Sequence, residues 1–420
     1  MTPENLYVHF PFCRRKCSYC ALYSRAGVGE SDRAAYVSAL AEDLKRRLRP
    51  STFNLQPSTF STIYFGGGSP ALCGLAPLFK VLASRGASRA RRREGTADNF
   101  GSDGLGAFEF TVEMHPLDVT AEKLEELKAG GVNRISMGVQ SFDDATLARM
   151  GRGYTIAEAF EAFRLVKRYF DNVGIDLIVG YPGEKRLEIR DKRLDADDWL
   201  EKFVGEGMRH CSVYSLQNER GLKDVPEDDV ILDEIKRIAR ELDALGLKRY
   251  EISNYAVPGY ECRHNLAVWR GEDYLGLGEG ACGREGLKRT RGIRARRTPS
   301  SSAVGRPEGD VELEYSVEEV SPEFDRKERA LFRLRTREGL DAAAFPEWRE
   351  TLARFVKEGV IASRVARRTM GEESSRVARR TMGEATDIVP RVTHERVCSQ
   401  VYVLTERGTE VCDAILAELV

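Results

Sequence analysis

Short apolar runs rich in β-branched residues alternate with amphipathic helical segments up to about Gly283, and this alternation limits the fold more than any other feature. Six runs are predicted to be strands: Leu6–Phe10, Thr62–Phe65, Phe108–Glu113, Arg134–Met137, Gly174–Val179 and Cys211–Ser215. Helices are predicted between them, including Arg33–Arg49, Ala121–Ala129, Ile156–Tyr169 and Asp228–Leu245. Six strand–helix repeats predict an α/β fold with a parallel sheet, closed or partly closed as a barrel, in which ligands bind at the carboxyl ends of the strands.

Three stretches interrupt this pattern. Ser84–Gly106 and Lys288–Gly309 are rich in arginine and poor in apolar residues, so we expect solvated surface loops. Between Ser363 and Glu384 the segment SRVARRTMGE occurs twice, twelve residues apart, which indicates a short sequence expansion and not a solenoid. The last part of the chain contains two helical segments followed by a strand, a pattern that suggests a winged-helix-like module.

These interruptions divide the chain into predicted domains. A barrel domain is expected over residues 1–283, with a basic insertion at about 84–106. A linker or insertion is expected over residues 284–323, and a small C-terminal α+β domain over 324–420 with a repeat insertion at about 363–390.

The charge balance bears on possible partners. The chain has 65 Lys and Arg residues against 66 Asp and Glu residues, so no overall field attracts nucleic acid or an anionic membrane. There is no leader-like N-terminus, and no apolar run approaches the roughly 18 residues of a spanning helix. We therefore expect a cytoplasmic protein that does not span a membrane and does not bind nucleic acid.

Three cysteines near the start, Cys13, Cys17 and Cys20, carry the chemistry. They directly follow the first predicted strand, so their thiolates lie in one loop at the carboxyl end of that strand. Three cysteine ligands on a four-iron cluster leave one iron open, and that iron can chelate the amino and carboxylate groups of S-adenosylmethionine. The alternatives are a zinc knuckle completed by a distant residue, or ordinary buried thiols. Zinc sites usually show paired cysteine hooks and no second hook follows, so we predict a [4Fe–4S] cluster.

A glycine run, Gly66-Gly67-Gly68-Ser69-Pro70, ends the second predicted strand. Three glycines allow backbone amides to approach a ligand closely, which suits the amino-acid end of S-adenosylmethionine. The alternative is a simple tight turn, but the position one strand after the cysteines favours the binding role.

The run from Tyr7 to Cys20, YVHFPFCRRKCSYC, resembles the radical S-adenosylmethionine family of oxygen-independent coproporphyrinogen III oxidases and their haem-chaperone relatives. The resemblance continues through GGGSP at 66–70, VEMHP at 112–116, GVNRISMGVQSF at 131–142 and IDLIVGYP at 175–182. It implies a partial (β/α)6 barrel followed by a winged-helix-like domain.

The same resemblance implies the residues that surround S-adenosylmethionine: Tyr7, Tyr19, Gly67, Gly68, Ser69, Glu113, Gln140, Arg152 and Asp176. The chemistry of these residues agrees, since a ribose needs carboxylate or amide acceptors and a carboxylate needs a guanidinium. The alternative reading of the acidic and amide residues is a buried polar network at the strand ends.

Two departures from the oxidases favour the haem-chaperone branch of this family. The decarboxylating oxidases place a further cysteine two residues after the third ligand, where this chain has Leu22, and they carry a longer leader. The chaperone branch has a His-Asn-x-x-Tyr-Trp motif, which corresponds to HNLAVW at 264–269 and implies that His264 is an axial haem ligand. A structural hydrogen-bonding role for His264 is the alternative.

This motif also departs from the family pattern. Val268 replaces the usual tyrosine, and Cys282 stands where the family commonly has histidine. Cys262 and Cys282 are possible thiolate ligands for haem, with buried inert thiols as the alternative.

The favoured function is therefore a haem-binding transfer protein with three cofactors: a [4Fe–4S] cluster, S-adenosylmethionine and haem. Its expected partners are haem or another tetrapyrrole, haem-accepting proteins and an electron donor. The alternative is an oxidoreductase of the coproporphyrinogen dehydrogenase type, which would oxidatively decarboxylate coproporphyrinogen III to protoporphyrinogen IX. A radical enzyme acting on RNA is a third reading, but no aromatic residues are interleaved with the basic segments.

Overall fold

Strands and helices alternate through most of the chain, as a computed structural model shows for residues 3–48, 60–84, 108–184, 199–297, 311–368 and 397–404. The strands are β1 (Asn5–Phe10), β2 (Phe12–Cys13), β3 (Arg25–Ala26), β4 (Thr62–Gly67), β5 (Glu109–Met114), β6 (Arg134–Gln140), β7 (Asn172–Val179), β8 (His210–Ser215), β9 (Lys248–Arg249), β10 (Asn254–Ala256), β11 (Tyr274–Leu277), β12 (Cys282–Glu285), β13 (Lys288–Arg297), β14 (Val311–Glu319), β15 (Leu340–Asp341), β16 (Ile361–Arg368) and β17 (Val397–Leu404). The helices are α1 (Glu30–Arg47), α2 (Ala76–Ser84), α3 (Ala121–Ala129), α4 (Asp144–Met150), α5 (Ile156–Lys167), α6 (Trp199–Gly205), α7 (Asp228–Ala244), α8 (Arg263–Trp269), α9 (Pro322–Leu334) and α10 (Arg349–Lys357).

The six predicted strands form the centre of one sheet. They correspond to β1, β4, β5, β6, β7 and β8, which are neighbours in that order and all parallel. β11 extends this parallel set beside β1, and antiparallel strands complete both edges. The prediction of an α/β fold with six parallel strands is confirmed. Because the strands run in the same direction, the segments that follow them meet at one end of the sheet.

The two faces of the sheet differ in chemistry. On β1, Leu6 and Val8 are fully buried in the hydrophobic core together with Leu40 of α1, so this is the helix-covered outer face. Tyr7 and His9 alternate with them and lie on the opposite, inner face. The inner face is therefore polar and the outer face apolar, an arrangement that places polar chemistry inside the partial barrel.

Residues 284–297 and 311–319 correct two predictions, because β12, β13 and β14 belong to the main sheet. The linker predicted over 284–323 and the loop predicted from Lys288 are therefore wrong for these strands. β13 is basic and β14 acidic, and cross-strand partners such as Arg294 and Glu314 form an ion pair of 2.8 Å. Pairs of opposite charges on facing strands stabilise β13 and β14. These strands were missed because their sequences lack the alternation of apolar and polar residues that predicts a strand.

The chain forms two compact units, Met1–Asp325 and Arg326–Val420. The second unit contains a three-stranded antiparallel sheet in the order β15-β17-β16, packed with α10. Its core includes Leu334, Trp348 and Leu352. The α+β composition predicted for this part of the chain is confirmed.

Two predicted features lie almost wholly outside the described residues: the basic insertion at 84–106 and most of the repeat at 363–384. Within the part of the chain that the structure describes, no helix is both long and apolar enough to cross a membrane.

Candidate functional site

The three cysteines of the predicted cluster lie in one loop at the carboxyl end of β1. Cys13 ends β2, which pairs with β3 and so closes the loop that carries Cys17 and Cys20. All three thiols are free and half-buried. Burial raises the pKa of Cys13, and the neighbouring Cys17 and Cys20 thiols raise it further, so the sulfurs lie within electrostatic reach of one another. The loop thus brings together the three predicted iron ligands.

Among the residues that the structure describes, no group of three His, Cys, Asp or Glu side chains is placed to hold a metal ion. The half-buried thiols of Cys13, Cys17 and Cys20 share one loop, and a four-iron cluster would take one thiolate on each of three irons.

Arg152 lies directly beside this loop. Its guanidinium is 3.4 Å from the sulfur of Cys17 and 3.5 Å from the hydroxyl of Tyr19. It also donates to the carbonyl of Gly138 at 2.7 Å and to the hydroxyl of Tyr154 at 2.9 Å, and the residue is buried. Of the predicted site residues, Arg152 and Tyr19 are thus adjacent to the cysteines, and the fixed guanidinium can pair with an anionic group there.

The glycine run packs against the same loop, but its amides are not free. Gly68 donates to the carbonyl of Phe10 and Ser69 to that of Phe12, each at 2.7 Å. Gly67 donates to the carboxylate of Glu113 at 3.1 Å. These bonds tie the glycine run to the start of the cysteine loop and to β5, and the contact of Gly67, Gly68 and Ser69 with the cofactor stays a prediction.

Gly67 occupies a position that only glycine fits. Its φ is +104°, and an added Cβ would lie 2.5 Å from the imidazole of His9. We expect Gly67→Ala to destabilise the fold by about 2–4 kcal/mol, because strain and overlap add. Gly74→Ala is the matched control, since its Cβ would meet no heavy atom within 4 Å. Urea unfolding of both variants measures the difference, and equal stability would contradict the close packing on His9.

Two half-buried carboxylates, Glu113 on β5 and Asp176 on β7, lie on the inner face of the sheet on either side of β6. Glu113 accepts from the hydroxyl of Tyr64 at 2.8 Å, and Asp176 accepts from the hydroxyl of Ser136 at 3.1 and 3.2 Å. Burial, followed by the charge of Asp176, raises the pKa of Glu113 to about 7. Burial also raises the pKa of Asp176. Both groups are half-buried hydrogen-bond acceptors that can receive a bond from a ribose hydroxyl.

Gln140 ends β6 in an unusual backbone conformation. Its φ is +75°, and the pairing of β6 with β7 shifts register between Gly138 and Gln140. The amide nitrogen of Gln140 would lie 2.6 Å from a Cβ on Gly138, so the glycine makes room for this side chain. A left-handed conformation at a non-glycine residue stores strain, which is common at binding sites.

Tyr7 lies on the inner face of β1, where its hydroxyl contacts Nδ1 of His9 at 3.0 Å. The Nε2 atom of His9 contacts the carbonyl of Tyr23 at 2.8 Å, just beyond the cysteines. Tyr23 and Arg25 in turn donate to the buried carboxylate of Glu279. The sequence did not single out His9 or Glu279 as site residues, although His9 shares a face with Tyr7 through the two-residue period of a strand.

His264 lies away from the cysteine loop, but its ring stacks on that of Tyr7 with 6.3 Å between the ring centroids. It is 4% exposed, its Nδ1 contacts the hydroxyl of Thr62 at 2.8 Å, and its amide donates to Glu109 at 3.0 Å. Thr62 and Glu109 begin their strands, whereas the cysteine loop follows the end of β1. Burial lowers the pKa of His264 to about 3, so the imidazole is neutral. This placement agrees with the hydrogen-bonding alternative, and the predicted contact with haem iron has no exposed ring face to support it.

The two cysteines considered as haem ligands differ in accessibility. Cys262 is buried against Glu109, and burial raises the pKa of its thiol. Cys282 is exposed. Gly276 on β11 is the cross-strand partner of Tyr7 on β1. The backbone of Cys282 on β12 lies against Gly276, because a Cβ added to this glycine would overlap it. The exposed thiol therefore lies on a strand close to the predicted cofactor site.

Comparison with known proteins places these features in context. Residues 7–193 match the Radical SAM superfamily. The haem chaperone HemW of Lactococcus lactis is 32% identical over 292 residues, which cover 67% of this chain and 69% of the relative. HemW of Escherichia coli is 33% identical over 334 residues, covering 77% and 81% respectively. The structure of the coproporphyrinogen III oxidase HemN of Escherichia coli aligns with a TM-score of 0.65 at 17% identity, covering 100% of this chain and 90% of that one, and so shares the fold.

Proposed function

Because this chain belongs to the HemW haem-chaperone family of the radical S-adenosylmethionine superfamily, we propose that it binds haem and transfers it to acceptor proteins. The observation that carries the proposal is a sequence identity above 30% to proteins named as haem chaperones, over about four fifths of the length of each. The oxidase structure, at 17% identity, supports the fold and not the activity.

The cysteine loop is the proposed site of the [4Fe–4S] cluster. Cys13, Cys17 and Cys20 supply three thiolates, and Arg152 supplies a fixed positive charge beside Cys17. When bound, the cluster supplies one-electron chemistry and an open iron for the amino-acid end of S-adenosylmethionine. Leu22 occupies the position of the oxidases' additional cysteine, which favours haem transfer over decarboxylation.

The S-adenosylmethionine site is proposed along the inner face above the cysteines. Glu113 and Asp176 accept hydrogen bonds from ribose hydroxyls, while Arg152 pairs with the methionyl carboxylate. Gln140 contributes its side-chain amide, and Tyr7 lines the wall of the site. In this arrangement Gly67, Gly68 and Ser69 line the amino-acid end of the site, and their amides also fix the loop on which the cysteines lie.

The haem iron is proposed to take Cys282 as its accessible axial ligand. A thiolate is an established ligand for haem iron, and this side chain is exposed on the sheet close to Tyr7. His264 is a second candidate for one reason: Thr62 donates to Asn5, so Nδ1 of His264 carries the proton and Nε2 keeps its lone pair. Haem could reach this ring only after local rearrangement of α8.

Haem titration of two variants separates these ligands. Cys282→Ser is expected to weaken haem binding at least ~10-fold and to remove thiolate features from the visible spectrum, whereas His264→Ala leaves the spectrum unchanged. Cys262→Ser is the matched control because its thiol is buried. Transfer of bound haem to apomyoglobin tests the function itself. Loss of haem binding in His264→Ala alone would assign the iron to the histidine, and absence of haem binding by the wild type would refute the proposal.

A further inference from the structure

Arg134 is a buried cation at the start of β6, where it is only 1% exposed. Its Nη1 atom lies 3.5 Å from the hydroxyl of Thr111, and its Nε and Nη2 atoms have no hydrogen-bond partner among the described residues. A guanidinium is not deprotonated in proteins, so the side chain carries a full charge into the interior. A buried charge without a close partner destabilises a fold, and its presence calls for an explanation in terms of the groups that it faces.

The inner face of β6 places this charge next to the two carboxylates of the proposed S-adenosylmethionine site. Arg134 and Ser136 share that face, because side chains two positions apart on a strand point to the same side. Ser136 is the cross-strand partner of Glu113 on β5, and its hydroxyl donates to Asp176 on β7. Arg134 therefore lies one inner-face position from the row of Glu113, on the strand between the two acids.

A third carboxylate, that of Glu109, is already bound by the start of α8. It accepts from the backbone amides of Arg263 and His264 at 2.9 and 3.0 Å, and the thiol of Cys262 donates to it at 3.6 Å. Neither of the two unpartnered guanidinium nitrogens of Arg134 donates to it. The charge of Arg134 is thus not consumed by a close ion pair at the amino ends of the strands.

Few charged groups act on the two acids from the elements around them. Burial and the charge of Asp176 raise the pKa of Glu113, and the guanidinium of Arg134 acts against this rise. Burial also raises the pKa of Asp176, and here Arg134 and Arg152 both act against it. The other titratable side chains nearby stay protonated at neutral pH: Tyr7 on β1, Tyr64 on β4, and Cys211 and Tyr214 on β8. Arg134 is the cation common to both acids.

We infer that Arg134 is a positioning residue of the S-adenosylmethionine site, whose buried charge keeps Glu113 and Asp176 ionised and so able to accept hydrogen bonds from the ribose. The inference rests on the proposed function, since the two acids must face the ribose for their ionisation to matter. Arg134 acts through these acids and not on the ligand. An ionised carboxylate only accepts hydrogen bonds, whereas a protonated one uses one oxygen as a donor.

The proton on Glu113 gives the first readout. In the reconstituted protein without S-adenosylmethionine, the infrared signal of this carboxyl, identified by its absence in Glu113→Gln, reports the pH at which the proton leaves. That pH is about 7 in the wild type. We expect it to rise by about one pH unit or more in Arg134→Gln and Arg134→Met, because an opposite charge near a carboxylate has been removed. Arg134→Lys keeps the charge and should stay close to the wild type.

The pH dependence of S-adenosylmethionine binding gives the second readout. At neutral pH the two uncharged variants should bind about five-fold more weakly than the wild type, since a smaller fraction of Glu113 is ionised. The deficit should shrink as the pH rises, because Glu113 then ionises in every variant. Thr111→Val is the matched control: it removes the hydroxyl beside Nη1 of Arg134 but leaves the charge, so it should keep the wild-type pH profile.

The outcomes separate this role from a purely structural one. A binding deficit equally large at neutral and alkaline pH, or an unshifted proton on Glu113, would overturn the inference. Failure of both uncharged variants to fold, in urea unfolding alongside Thr111→Val, would overturn it too, because Arg134 would then serve only the packing. If the wild type itself does not bind S-adenosylmethionine, the proposed function fails, and this result is distinct from the other two.

Discussion

Cys17→Ala is expected to lose the iron–sulfur cluster and, with it, the binding of S-adenosylmethionine. Cys17 is one of three thiols on the loop and contacts Arg152, so its removal leaves two ligands and takes one contact from the guanidinium. Loss of a direct ligand should exceed the roughly 10- to 100-fold cost of losing an outer contact at a metal site. Iron and sulfide content after anaerobic reconstitution, together with visible absorbance, measure the effect.

Cys73→Ser is the control for this prediction. Cys73 is 2% exposed, and burial raises the pKa of its thiol to about 12, so it stays protonated and cannot serve as an iron ligand. This variant should keep full iron content. Retention of the cluster by Cys17→Ala, or its loss in Cys73→Ser, would contradict the assignment of ligands.

Glu113→Gln is expected to weaken S-adenosylmethionine binding by about ten-fold or more, because a half-buried carboxylate proposed to accept from ribose is replaced by an amide with one acceptor. The same variant should gain stability relative to wild type at alkaline pH. The folded pKa of Glu113 is about 7 against an ordinary value of 4.5. The favourable contribution of the protonated carboxyl is therefore fully present below pH 4.5 and is lost as the pH rises through about 7.

The size of this shift follows from the two pKa values. Between pH values well below 4.5 and well above 7, the free energy of unfolding of wild type should fall relative to that of Glu113→Gln by on the order of 3 kcal/mol. Denaturant unfolding of both proteins without ligand at the two extremes measures it. Glu161→Gln, an exposed change on α5, should show no such pH dependence. A pH-independent difference for Glu113→Gln would show that the carboxyl is ionised throughout.

The central strands and the cysteine loop were predictable because each is specified by residues close together in the sequence. Buried parallel strands need continuous apolar runs, and the six runs from Leu6 to Ser215 correspond to the six central strands. The cysteine loop was predictable for the same reason, since its three ligands are close in sequence. Strands β13 and β14 were not, because their cross-strand charge pairs join residues twenty positions apart, as Arg294 and Glu314 show.

The surroundings of the site depend on tertiary contacts that no local pattern contains. Glu279 anchors the cysteine loop from more than 250 positions away, and the run around it gave no separate signal. The glycine amides were predicted to bind a ligand because three successive glycines leave the backbone open to close approach. Their bonds to Phe10, Phe12 and Glu113 depend on how the loop folds back. His264 likewise carries a binding motif, but its burial against Thr62 is set by the packing of α8.

The most direct test of haem transfer compares two reactions of the anaerobically reconstituted protein. One sample is titrated with haem, and the other receives coproporphyrinogen III with S-adenosylmethionine and a reductant. Stoichiometric haem binding, transferable to apomyoglobin, without porphyrinogen turnover is the predicted result. Conversion of coproporphyrinogen III to protoporphyrinogen IX would contradict it and would make the protein an oxidase despite Leu22.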